Sequence, residues 1–223
     1  MTDMPPPDMP VPDMPVRDAA TIVLLRQGAA GPSVLMGQRG AGAAFMPNKY
    51  VFPGGAVDAA DARVPLARPL DRATHAALSV KSITPPNMLA VAALRELAEE
   101  TGQIIACPGD GCDWPGFRNL SPDASALRFV FRAITPPGRP RRFDARFFLV
   151  PADALLTDPD DFSQAEDELG HLHWVPLSEA RTLDMPFITE VVLAEISAIA
   201  AGTGATGTPF FDNSGATSVF HRL

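Results

Sequence analysis

Residues 95–102 read Arg95-Glu96-Leu97-Ala98-Glu99-Glu100-Thr101-Gly102. On a helix, Glu96, Glu99 and Glu100 stand at i, i+3 and i+4, so their carboxylates share one face. Arg95 precedes Glu99 by four residues and can pair with it, while Leu94, Leu97 and Ala98 turn toward a core. Apolar residues at 88, 91, 94, 97 and 98 carry the helical period back to Met88. Asn87, after Pro85-Pro86, is the expected N-cap, and Gly102 the expected residue just past the C-terminus. Clustered carboxylates repel one another unless a cation sits among them. Taken alone, the octapeptide reads first as a solvated acidic face with ordinary ion pairs. Hard oxygen donors at this density also suit Mg²⁺ or Mn²⁺, which keep positions open for water and a substrate phosphate.

Phe52-Pro53-Gly54-Gly55-Ala56-Val57-Asp58-Ala59-Ala60-Asp61, upstream, moves the balance toward a metal site. The two segments together resemble the Nudix box, Gly-x5-Glu-x7-Arg-Glu-U-x-Glu-Glu-x-Gly-U, where U is a bulky aliphatic. Gly55 matches the leading glycine, and Arg95, Glu96, Leu97, Glu99, Glu100 and Gly102 match the second half. The match departs from the pattern in three places. Asp61 stands where Glu is expected, 33 residues separate Asp61 from Arg95 instead of seven, and Gln103 takes the place of the final aliphatic. A Nudix branch typified by peroxisomal coenzyme A diphosphatases carries an insertion at this point. The chain also resembles that branch in Phe45-Met46-Pro47, residues 51–55, Asp58 and Asp61. Further matches are Arg142-Phe143-Asp144, Arg146-Phe147-Phe148, Glu168-Leu169 and residues 173–176. The resemblance covers about residues 19–183.

The resemblance implies an α/β (α+β) fold, a Nudix-type α/β/α sandwich with a mixed β-sheet. It implies a Mg²⁺- or Mn²⁺-dependent hydrolase in which water attacks phosphorus in the diphosphate of a nucleoside diphosphate conjugate. Coenzyme A or acyl-CoA is the first choice of substrate. Nucleotide sugars, dinucleotides and ADP-ribose are the alternatives, and a non-catalytic nucleotide-sensing module is the alternative from another class. By resemblance, Glu96, Glu99 and Glu100 ligate the metal with Gly55, and Arg95 orients them. Gly54 and Gly55 let the backbone approach the substrate. The proton acceptor is left open between a box carboxylate and a distal-loop acid, for which Glu168 is chosen and Glu166 also considered. Arg39, Lys49 and Arg146 are weighed as phosphate contacts, and Arg39 and Lys49 are taken as substrate-binding. Residues 62–86 form the insertion, a loop either framing the site or merely decorating the surface; residues 72–81 could hold a short helix.

Around these segments the 223-residue chain alternates strands and helices. Residues 20–26 and 33–39 read as a hairpin, and 50–52, 127–134, 143–150 and 171–175 as further strands, with 127–134 half-buried by its alternation. Residues 188–200 read as an amphipathic helix and 178–183 as one or two turns. A folded domain over 19–201 is therefore expected, after a disordered Pro/Met/Asp-rich tail at 1–18 and before an irregular extension at 202–223. Six prolines in the first sixteen residues oppose both helix and sheet there. Net charge is −8. Three aspartates in 1–16 and seven acids in 153–168, with no Lys or Arg in either, leave the remainder at +2. No basic concentration of the kind that binds nucleic acid is expected, and no apolar run is long enough to span a membrane. Two cysteines, Cys107 and Cys112, make no disulfide framework and lack partners for zinc, so a cytoplasmic setting is expected. His171 and His173 share one side of a strand and are read as sheet-surface residues. A homodimer through the C-terminal helix is left open.

Overall fold

The computed structural model describes residues 14–43, 45–215 and 217–223. Its strands are β1 (Val16–Gly28), β2 (Gly31–Arg39), β3 (Tyr50–Val51), β4 (Gly54–Ala56), β5 (Ala106–Pro108), β6 (Leu120–Pro122), β7 (Arg128–Ile134), β8 (Arg142–Pro151), β9 (Leu169–Pro176), β10 (Pro209–Asp212) and β11 (Val219–Arg222). Its helices are α1 (Arg72–Ser79), α2 (Pro86–Thr101) and α3 (Phe187–Ala200). Nine strands form one mixed sheet in the order β11-β10-β7-β8-β1-β2-β3, with β4 also on β1 and β9 also on β2. No described helix is long and apolar enough to cross a membrane.

Strand β1 organises the sheet because it is long enough to serve two partners along one edge. Residues 25–28 pair with β2 as the expected hairpin, and residues 19–21 pair with β4. Its other edge runs parallel to β8 from Val16 to Leu25. The period-two alternation of the two strands then builds a core on each face. Ala20, Ile22, Leu24, Phe148 and Val150 meet Leu89, Ala93, Leu94 and Leu97 of α2. Val23, Phe147 and Leu149 meet Val192, Leu193 and Ile196 of α3. Each such Leu, Ile or Phe contributes about 1.5–3 kcal/mol by burial. The result is the expected α/β/α sandwich.

Several local expectations need correction. Helix α2 begins at Pro86 with Pro85 at the N-cap and no side-chain cap, so Asn87 lies inside the first turn. A proline at the first helical position supplies a preset φ and lacks only an N–H that would be unpaired anyway. Gly102 does close the helix, at φ 71°, donating its N–H to the Ala98 carbonyl. The tail expected over 1–18 overlaps β1, which takes up Val16 to Asp18; residues 1–13 lie outside the described part. The extension at 202–223 is not irregular throughout. Strand β10 joins β7 in parallel, and β11 pairs with β10.

Strand β7 is buried on both faces from Phe129 to Ile134, not half-buried. The alternating Arg132 misleads because it is satisfied inside. Its guanidinium donates to Asp144 at 2.7 and 2.9 Å and to the carbonyls of Val80 and Lys81 at 3.0 and 2.9 Å. Arg146, only 1% exposed, likewise binds Asp18, Asp144 and, at 3.0 Å, the Ser82 hydroxyl. These bonds strap residues 80–84 to the sheet. Together with buried Leu70 and Leu78, they make residues 62–86 part of the fold on the α2 side. Helix α1 falls within the expected 72–81, capped by the Asp71 carboxylate.

Candidate active site

Arg95 is the hub of the site. Its Nε and Nη2 donate to the two carboxylate oxygens of Asp61 at 2.8 and 3.2 Å. Nη1 donates to Glu96 and Glu99, both at 2.9 Å, and Nη2 also reaches the Ala56 carbonyl at 3.1 Å. One planar guanidinium thus joins the Gly-Gly segment to the carboxylate helix, a task that suits Arg and not Lys. Asp61 lies 34 positions earlier in the chain, with a side chain only 1% exposed. It accepts the Asp58 N–H while the Asp58 carboxylate accepts from Ala60, closing a capping box on the short helical turn Ala59–Arg63. Asp61 is therefore an anchor for Arg95.

Strand β4 presses against α2. The Gly54 N–H donates to Glu100 at 2.7 Å. A Cβ on Gly55 would stand 2.4 Å from the Glu96 Oε2, so the carboxylate lies directly on bare backbone. A Cβ on Gly54 would come within 2.5 Å of the Ala20 carbonyl oxygen and 2.6 Å of the Thr21 Cα, both backbone atoms that cannot turn aside. Gly54→Ala is accordingly expected to lift β4 from β1, lower the melting temperature and free the Glu100 carboxylate. Thermal unfolding checks this, and an unchanged midpoint would contradict it.

All three box glutamates hold their protons more tightly than usual. Burial pushes Glu96 up to about 7 against the pull of Arg95, with the charges of Glu99 and Glu168 adding to the rise. Glu99 is raised by burial and by neighbouring Glu166 and Asp61, again against Arg95. Glu100 stands well above the usual carboxylate range, chiefly through burial, although the Gly54 N–H works the other way. Arg95 stays protonated despite burial, because Asp61, Glu96 and Glu99 surround it. In the absence of divalent metal, a Glu96 proton favoured by the fold stabilises below the unfolded-state pKa and is lost as pH rises toward 7. The metal-free melting temperature should therefore fall between pH 5 and pH 8. Mg²⁺ should raise it more at pH 8 than at pH 5. A midpoint that rose with pH would contradict this.

Whether a divalent cation fits is decided by the donors. Among the described residues, no group of three His, Cys, Asp or Glu side chains forms a ready-made cage. Mg²⁺ does not require one, since it keeps several waters and takes one or two carboxylates plus substrate phosphate. Glu96, Glu99 and Glu100 are hard oxygen donors with more negative charge than Arg95 balances. Glu96 faces a cavity of about 290 Å³ together with Gly54, Gly55, Arg39 and Glu168. The donor set fits such an ion.

Glu168 is brought into this cavity from the loop before β9, where Arg39 donates to it at 2.9 Å. Arg39 also keeps a buried Nε with no hydrogen-bond partner among the described residues, a donor available to an anion. Glu166 is held through its backbone, which donates to the Glu99 carbonyl at 2.9 Å. Lys49 pairs with Asp184, and Arg146 is locked in the buried network, so neither offers a free charge to phosphate. Lys49 instead borders an adjoining cavity of about 610 Å³, mostly apolar, lined by Met46, Phe147, Met185, Ile188 and Phe211. No residue of 62–86 lines either cavity, so the segment does not frame the site, and with Leu70 and Leu78 in the core it does not merely decorate the surface either. Cationic residues that do line the cavities, Arg17, Arg139 and Arg141, escaped the sequence reading. The cluster Arg139-Pro140-Arg141-Arg142 was the available signal.

A glycine turn is apposed to a carboxylate helix through one arginine, at the edge of a mixed sheet between two helical layers, as the resemblance to the Nudix box implies. No family model matches the chain. It is 30% identical over 181 residues to "Putative nudix hydrolase 7" of Caenorhabditis elegans, an alignment covering 73% of this chain and 52% of that protein. The chain thus spans about half the length of this curated relative. A solved NUDIX hydrolase from Alicyclobacillus acidocaldarius superposes with a TM-score of 0.63 at 29% identity, over 87% of this chain and 99% of that one. The chain therefore has the Nudix fold, and the two likenesses support its place in the Nudix hydrolase superfamily.

Proposed function

We propose that the protein is a divalent-metal-dependent hydrolase that cleaves the diphosphate of a nucleoside diphosphate conjugate, with coenzyme A or acyl-CoA as substrate. The observation that carries this reading is the Arg95 fork. It joins Asp61, Glu96 and Glu99 beside a Gly54-Gly55 backbone bared to the cavity, across 33 intervening residues. Conjugates of coenzyme A are chosen because the sequence resembles that branch. The mostly apolar cavity next to the site supports the choice, since it has room for a pantetheine or acyl arm.

Glu96, Glu99 and Glu100, with the Gly55 backbone, would hold Mg²⁺ or Mn²⁺. The bound ion would neutralise the diphosphate and lower the pKa of water. The chain's own residues supply the rest. Gly54 and Gly55 admit the diphosphate to the backbone, where a side chain would block it. Arg39 offers its unpartnered Nε to a phosphate oxygen. Glu168, in the same cavity, accepts the proton of the attacking water as the bond from water oxygen to phosphorus forms and the bridging oxygen departs. Arg95 keeps Glu96 and Glu99 aimed and opposes the rise that burial imposes on their pKa.

The test is a panel of coenzyme A, acetyl-CoA, ADP-ribose, diadenosine tetraphosphate and NADH with Mg²⁺ or Mn²⁺, the products identified by mass. Release of adenosine 3′,5′-bisphosphate and phosphopantetheine from coenzyme A is the expected result. Turnover confined to another member would overturn the substrate assignment. Tight binding without turnover of any member would identify a sensor instead.

A further inference from the structure

Residues 132–146 carry five arginines and one acid, Asp144, a local +4 in a chain of −8. Arg132 and Arg146 are buried and spend their charge on Asp144 and Asp18, and Arg142 donates to the carbonyls of Thr135 and Asn213. Arg17, Arg139 and Arg141 are different: all three are exposed and have no side-chain partner among the described residues. Arg17 and Arg141 line the cavity that holds Glu96 and Gly55, and Arg139 lines the adjoining one.

The sheet register puts two of them at the same end of the β1–β8 pair, lining one cavity. Arg17 of β1 pairs with Phe143 of β8, and Arg141 lies two residues before Phe143, on the same side. That side continues through Ala19, Thr21 and Ala145, whose short side chains leave the cavity open. Ala20 pairs with Gly55 on β4. Arg17 is three residues further along β1, so its Cα stands about 10 Å along the strand from the position that pairs with Gly55. A nucleoside carrying phosphate on its sugar as well as its 5′ oxygen spans such a gap. Like charges without a partner that line one cavity repel, and an anion bound between them removes that cost. Two guanidinium forks also match the oxygens of a tetrahedral dianion better than a single carboxylate.

We propose that Arg17 and Arg141 form a second anion subsite, which receives a phosphomonoester on the sugar of the nucleoside whose diphosphate is cleaved at Gly54-Gly55. This rests on the diphosphatase reading above. It adds a selection: conjugates bearing the extra phosphate are preferred over those lacking it. The subsite restricts the substrate class; it takes no part in the bond cleavage.

Two measurements on the full chain separate the claims. The first is calorimetric binding of adenosine 3′,5′-bisphosphate and of adenosine 5′-monophosphate. Wild type should bind the bisphosphate roughly ten- to hundredfold tighter. The R17Q/R141Q double variant should lose that preference, and R17K/R141K should keep part of it. The second is the ratio of kcat/KM for coenzyme A over dephospho-coenzyme A, which should fall toward unity in R17Q/R141Q. Equal affinities in wild type, or a preference and ratio unchanged by the double variant, would overturn the subsite. A bisphosphate preference lost in the double variant, without any hydrolysis by wild type, would uphold the subsite and overturn the diphosphatase reading.

Discussion

Glu99→Gln is expected to lower turnover by roughly 10²–10⁴ at saturating Mg²⁺, the size expected when a group contributing several kcal/mol to transition-state charge is lost. The substitution keeps shape and removes charge. Arg95 can still donate to the amide oxygen at the position it now holds at 2.9 Å. The Glu99 side chain is also partly exposed, so the fold is not the casualty. The melting temperature should therefore stay close to that of wild type while kcat falls. Steady-state kinetics beside thermal unfolding tests both halves. A near-normal kcat would remove Glu99 from the metal-binding set.

Arg95→Met should unfold the protein more readily by about 3–5 kcal/mol, because it strands a buried carboxylate. Asp61 would be left in a site from which water is nearly excluded, having lost both of its bonds from Arg95. Glu96 and Glu99 would lose their shared cation at the same time. Adding Asp61→Asn removes the stranded charge and keeps an oxygen for the Asp58 N–H, so the double variant should recover much of the stability. It should not recover activity, since nothing then aims Glu96 and Glu99. Chemical denaturation of the single and double variants measures the coupling. A double variant no more stable than Arg95→Met would show that the pair is not what holds the Gly-Gly segment to α2.

The parts of this molecule legible in sequence are those decided by neighbours along the chain. The apolar period from Met88, with Gly102 after it, marked α2 to within two residues, and two short apolar runs around the Gly28–Pro32 break marked the hairpin. The carboxylate face of α2 followed from spacing alone. What spacing could not show is which charges are already spent. Lys49 is neutralised by Asp184, 135 positions away, and Arg146 by Asp18, 128 positions away. Arg17 and Arg141, by contrast, are left without acids among the described residues. A sequence lists the charges but not their pairing across a sheet. Arg132 shows the same limit for burial: its alternation signalled an exposed face, yet carbonyls from residues 80–81 and Asp144 satisfy it inside. Strands β10 and β11 were missed because they are four residues each and lie among Gly, Thr and Ser. Their place depends on the edge offered by β7.

Hydrolysis of coenzyme A by the full chain in H₂¹⁸O with Mg²⁺, read by mass spectrometry, tests the central claim most directly. The account predicts one ¹⁸O per turnover, found on the phosphate of a single product, with turnover abolished by EDTA and restored by Mg²⁺ or Mn²⁺. Absence of turnover with both ions, or turnover that persists unchanged in EDTA, would contradict it.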